Sequence, residues 1–118
     1  MTRVCFTLRL RPELIDEYVE RHRAVWPEML REIAASGRRD YTIHLAPDGL
    51  LVGVYEVDDP VASAEYLARS AVASAWEAES SRFFSDLDGR ADQGAVELPA
   101  VFDLEAQLAA LDGGGDRV

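Results

Sequence analysis

Residues 40–57, DYTIHLAPDGLLVGVYEV, set two strand-like runs on either side of Pro47-Asp48-Gly49. Pro fixes its own φ, Asp can hydrogen-bond back onto its backbone, and Gly tolerates positive φ, so each of the three has a reason to occupy a turn. The stretch therefore reads as a β-hairpin. On its first strand Tyr41, Ile43 and Leu45 share one face, and Thr42 and His44 share the other.

Upstream, RVCFTLRL (3–10) alternates with period two, Val4, Phe6, Leu8 and Leu10 against Arg3, Cys5, Thr7 and Arg9. This predicts a half-buried strand. Pro12 suits the first turn of a helix. Leu14, Tyr18, His22 and Val25 follow at spacings of four, four and three, one helical stripe. Pro27 should end or kink that helix near Val25-Trp26. A second short helix, about Pro27 to Ala35, then stops at Ser36-Gly37.

Downstream, Asp59 is placed to cap a helix that has Pro60 at its first position. The helical pattern runs to about Leu87 with a break near Ser70, and Val72, Trp76, Phe83 and Leu87 fall on one stripe of its second part. Residues 88–95, DGRADQGA, read as loop. VELPAVFDL (96–104) reads as a last strand interrupted by Pro99, and EAQLAALDGGGDRV as a short helix with a Gly-rich polar tail.

The order β, kinked α, β, β, α, β predicts an α+β chain on the ferredoxin-like plan, an antiparallel sheet with helices on one face. Residues 1–104 form one domain, and 105–118 a C-terminal extension, partly flexible. The second sheet face needs a cover, which a further copy of the chain supplies in a two-fold homodimer.

Composition narrows the function. Twelve basic residues against 22 acidic give a net charge of −10, which disfavours nucleic acid and anionic membranes as partners. All twelve are Arg, so Schiff-base chemistry, a pyridoxal-phosphate anchor and a Walker lysine are excluded. Cys5 is alone and forms no intrachain disulfide, which agrees with a reducing compartment. No apolar run approaches the roughly 20 residues of a membrane span, and the N-terminus alternates instead of forming a signal-peptide block. The expected location is the cytoplasm.

His22 is open to three roles: packed helix residue, metal ligand or proton donor. Tyr18 lies one turn earlier, offset by only about 40° at roughly 100° per residue, so phenol and imidazole point into the same volume. Together they can hold a polyol and pass it a proton. A metal site would need His22 and His44 with a carboxylate from a distant segment, and no H-E-x-x-H occurs; no metal is expected. Trp26 and Trp76 suit a core or an apolar platform for a sugar. Tyr41 can sit in the core with its hydroxyl reaching a pocket. Asp16, Glu17, Glu20 and Glu32, interleaved with Arg21 and Arg31, read as a solvated helix face.

With Pro12, Glu17-Tyr18, Arg21-His22, Trp26-Pro27-Glu28, Gly37, Tyr41, Ile43, Trp76 and the VFDL of 101–104, the chain resembles the L-rhamnose mutarotase family from Arg3 to about Leu104. The resemblance implies a cofactor-free dimeric α+β barrel that interconverts the α and β anomers of L-rhamnose or a related aldose. It makes His22 the proton donor and sets Tyr18, Tyr41 and Trp76 around a monosaccharide. Where the family's pattern has a Trp-Trp pair this chain has Trp76-Glu77, a carboxylate in place of an aromatic. Trp26, Glu28 and Glu77 are then candidates for the pocket edge. Mutarotation protonates the ring oxygen and removes the proton of the anomeric hydroxyl; the base can be water, the same imidazole in relay, or a carboxylate such as Glu28. Two other readings stand beside it: a cofactor-free monooxygenase, by analogy of fold alone, and a non-catalytic sugar-binding module that keeps the Trp76 platform.

Overall fold

In the computed structural model, which describes residues 2–85 and 89–115, the N-terminal alternating run is β1 (Thr2–Arg9). A 3₁₀ turn, Pro12–Leu14, leads into α1 (Ile15–Arg21), followed by α2 (Pro27–Ala35). The hairpin is β2 (Arg38–Leu45) and β3 (Leu50–Val57), with Gly49 taking the positive φ of +92° that the turn requires. Then come α3 (Pro60–Arg69), α4 (Ala71–Ser80), a 3₁₀ turn at Ser81–Phe83, α5 (Ala91–Gly94), β4 (Val96–Glu97) and α6 (Leu104–Gly115). The strands form one antiparallel sheet in the order β2-β3-β1-β4, which is the ferredoxin-like arrangement.

Local chemistry sets the breaks in the second helical segment. Asp59 accepts from the Ala62 N–H at 3.0 Å and starts α3. Ser70 accepts from the Ala73 N–H at 3.1 Å, ending α3 and opening α4 in one residue.

Val4 and Phe6 of β1 lie on the same sheet face as Leu51, Tyr55 and Val57 of β3, under the helices. Gly53 sits opposite Phe6, whose ring lies so close over it that an added Cβ would stand 2.1 Å from a ring carbon. Only glycine admits that approach. Buried side chains gather in three clusters: around Leu10, Tyr18 and Phe83; around Phe6 and Tyr55; and around Met29, Leu67 and Trp76. Tyr41 packs against the second, so three aromatic residues singled out from the sequence come one from each cluster.

The structure departs from the sequence pattern in five places. α1 stops at Arg21, with His22 as its cap, instead of running on to Val25. Trp26 precedes Pro27 and is forced extended (ψ 131°), so the chain must leave the helix before reaching it. α4 ends at Ser80, whose hydroxyl donates back to the Trp76 carbonyl at 2.8 Å. Phe84 turns extended to bridge Leu10, which breaks the stripe through Phe83; Leu87 lies outside the described residues. The stretch 88–95 contains a helical turn, α5, with Ala91 buried. The last strand is two residues, continued by one hydrogen bond from the Leu98 N–H to the Cys5 carbonyl before Pro99 ends pairing. Finally, α6 runs through the glycines expected to form the tail. Among the described residues no helix is long and apolar enough to cross a membrane.

Candidate active site

Tyr18 stands on α1 and His22 caps it, one turn apart, and their rings stack with centroids 4.0 Å apart at 26°. His22 Nδ1 lies 2.9 Å from the Tyr18 carbonyl. A carbonyl can only accept, so Nδ1 carries the hydrogen and Nε2 of the neutral ring keeps its lone pair. Burial, and then the neighbouring Arg21 charge, lower the His22 pKa below its usual value against the opposing pull of that backbone bond. Near neutral pH the imidazole is uncharged, with Nε2 free to take a proton.

Tyr41 reaches the same space through an irregularity in the hairpin. Arg39 pairs with Glu56, but Thr42 pairs with Val54, so two residues of β2 oppose Tyr55. Asp40 takes the strain of this bulge at φ +50°. Without the extra residue, Arg38 and Tyr41, three apart, would face opposite sides of the sheet. With it, both face the helices. Burial pushes the Tyr41 phenol up to about 12 and the Tyr18 phenol further above its usual range, so both act as neutral hydroxyls.

Trp76 on α4 closes the group. Its indole meets His22 edge-on at 5.5 Å and Trp26 edge-on at 5.0 Å. The guanidinium of Arg21 lies 3.7 Å from the ring centroid, a cation–π contact that fixes the indole, and Trp76 still contributes to the cavity wall. Arg21 is thus not part of a solvated face: its side chain is 16 % exposed, donates to the Ser80 hydroxyl and approaches Glu79 at 3.7 Å.

Glu77 follows Trp76 and is 8 % exposed. Burial, reinforced by Asp92, pushes its carboxyl up to about 7, although Arg90 and the backbone N–H groups of Ala91 and Asp92 favour the charged form. Tyr18, His22, Tyr41, Trp76 and Glu77 line one cavity of about 550 Å³ with largely aliphatic and aromatic walls, inside the ~300–1,000 Å³ range of small-molecule sites.

Two residues expected at the pocket edge stand away from it. Trp26 packs behind Trp76, and Glu28 is exposed on the first turn of α2; neither lines the cavity. Arg38, Asp92 and Glu97, which sequence reading passed over, do line it. Asp92 belongs to α5, a turn too short to show periodicity, and Arg38 depends on the bulge. His44 is exposed on the opposite sheet face with Nε2 3.1 Å from the Thr42 hydroxyl. Among the described residues no three His, Cys, Asp or Glu side chains converge as metal ligands would.

The profile described as L-rhamnose mutarotase matches residues 3–104. The L-rhamnose mutarotase of Rhizobium meliloti is 33 % identical over 108 residues, covering 89 % of this chain and all of that protein. That of Sinorhizobium fredii is 44 % identical over 55 residues, an alignment confined to 46 % of this chain and 53 % of that one. Among solved structures, the L-rhamnose mutarotase of Formosa agariphila superposes with a TM-score of 0.72 at 20 % identity over 88 % of this chain and 99 % of its own, a likeness of fold. The chain belongs to the L-rhamnose mutarotase family.

Proposed function

We propose that the cavity opens and recloses the pyranose ring of L-rhamnose or a closely related aldose, exchanging its α and β anomers by acid/base assistance. The observation that carries this is the stacked Tyr18–His22 pair, with Nε2 free, in a cavity shared with Tyr41 and Trp76. In this reading His22 exchanges the proton, Tyr18 and Tyr41 hold sugar hydroxyls, and Trp76 packs on the apolar side of the ring. The reaction needs no redox step, so these residues suffice without a cofactor. The unit responsible is 1–104, with 105–118 an extension, and the setting is the cytoplasm. Saturation-transfer NMR on L-rhamnose, L-fucose and L-arabinose tests the reading: at least one anomer pair exchanges faster with the protein than without it. Uncatalysed rates across the panel overturn it.

The same chain is proposed to work as a homodimer. Cys5, Thr7, Val52 and Val54 alternate with the residues buried under the helices and form a half-exposed sheet face. Val101, Phe102, Leu104, Leu108 and Leu111 are exposed along the C-terminal arm. The radius of gyration, 16.9 Å, exceeds the about 13–14 Å of a compact chain this long. A second copy covers both surfaces. Sedimentation at micromolar concentration should return about twice the 13.1 kDa of one chain; a single-chain mass overturns the dimer.

A further inference from the structure

We propose that Glu77 is the second proton-exchanging group of the sugar site, the partner of His22, an assignment that rests on the mutarotase reading. Glu77 directly follows Trp76 on α4, is almost wholly buried, and lines the same cavity as the Tyr18–His22 pair. Glu28, the carboxylate the sequence offered as a base, is exposed and lines no part of it. Taking a carboxyl out of water at a ligand cavity is costly, and the Arg90 charge and the backbone N–H groups of Ala91 and Asp92 offset only part of that cost, since the carboxyl stays raised.

Mutarotation needs one proton delivered and one removed at each ring opening. The Nδ1–H of His22 is committed to the Tyr18 carbonyl, so neutral His22 can only accept at Nε2. Glu77, as the carboxylic acid, gives its proton to the ring oxygen as the bond from the anomeric carbon to that oxygen breaks. Nε2 takes the proton of the anomeric hydroxyl as the aldehyde forms. After rotation about the bond between the first and second carbons, the imidazolium returns its proton to the carbonyl oxygen. The former ring oxygen closes on the anomeric carbon and gives its proton back to the carboxylate. Both groups end as they began, and His22 donates only on the return half.

The electrostatics agree. Glu77 faces Asp92 and Arg90 beside α5, Arg21 and Tyr18 from α1, and Tyr41 from β2. His22 faces Arg21 and Tyr18. The carboxyl is raised to about 7 while the imidazole is lowered, so the single proton the pair shares resides mainly on Glu77. Activity should fall in acid as His22 becomes charged, and fall in alkali, with a midpoint near 7, as Glu77 loses its proton.

The test is kcat against pH for anomer exchange in the wild type, E77Q and E77D. Gln keeps the shape and removes the titration: kcat should drop by about 100-fold or more, KM should stay within a few-fold, and the alkaline limb near pH 7 should vanish. E77D should retain that limb at a reduced rate. Carbon-13 NMR of the wild type should show a Glu carboxyl titrating near pH 7. An E77Q rate and profile indistinguishable from wild type, or a Glu77 midpoint below about 5, overturns the assignment while leaving the mutarotase reading intact. A wild type that accelerates no aldose overturns the function, and this role with it.

Discussion

Replacing His22 with Ala lowers the rate of anomer exchange by about 10²–10⁴-fold, the usual worth of a positioned acid or base. Structure should survive the change. The His22 backbone N–H is shared between the Tyr18 and Val19 carbonyls at 3.1 and 3.2 Å, bonds that Ala also makes, so α1 keeps its end. What is lost is the imidazole: its stack on Tyr18, its contact with Trp76 and the Nε2 lone pair of a side chain that lines the cavity. Tyr41, Trp76 and Glu77 stay in place to hold the sugar, so kcat falls far more than KM changes. Added free imidazole should restore part of the rate by filling the vacated volume. Circular dichroism checks the fold and saturation-transfer NMR the rate; a folded His22→Ala protein at wild-type speed removes His22 from the chemistry.

Signals carried by neighbouring residues were legible before any coordinates. Pro47-Asp48-Gly49 specifies a turn, and Asp59-Pro60 and Ser70 specify helix ends, because each acts on backbone groups within three or four residues. Tyr18 and His22 could be placed together because one helical turn is a rigid ruler. Contacts made at a distance were not legible. Arg21 looked like one more charge on a solvated face, and only the return of α4 brings the indole of Trp76 under its guanidinium. The carboxyl of Glu77 looked like a pocket edge. Its burial comes from α5, a single turn whose backbone N–H groups face it and whose four residues carry no period. The bulge at Asp40 has no sequence marker beyond an Asp, a residue tolerant of positive φ, yet it brings Arg38 and Tyr41 to the same face.

Phe83→Ala should cost about 3–5 kcal/mol of stability, the range for emptying a fully buried phenylalanine site. Against a typical total of about 5–15 kcal/mol, such a loss lowers Tm on the order of 10–20 °C. Phe83 is 0 % exposed and packs with Leu10, Leu51, Phe84 and Ala91. These come from the end of β1, from β3, from the 3₁₀ turn after α4 and from α5, so no single element can relax to fill the void. Phe83→Leu restores most of the volume and should cost well under half as much. The ring also has a directional role, since it meets Tyr18 nearly perpendicular with centroids 5.6 Å apart, and His22 stacks on that same phenol. Emptying the site therefore loosens Tyr18 as well as the core, and kcat per folded molecule should fall at temperatures where Phe83→Ala is still native. Val57→Ala opens a hole in a separate cluster, at a residue 1 % exposed that does not line the cavity. It should lower Tm too, but lower kcat less than Phe83→Ala does, because the Tyr18–His22 pair keeps its packing. Thermal melts followed by rate measurements at 15 °C separate the two effects. If Phe83→Ala and Val57→Ala lower kcat equally, the packing of Phe83 on Tyr18 has no part in holding the site.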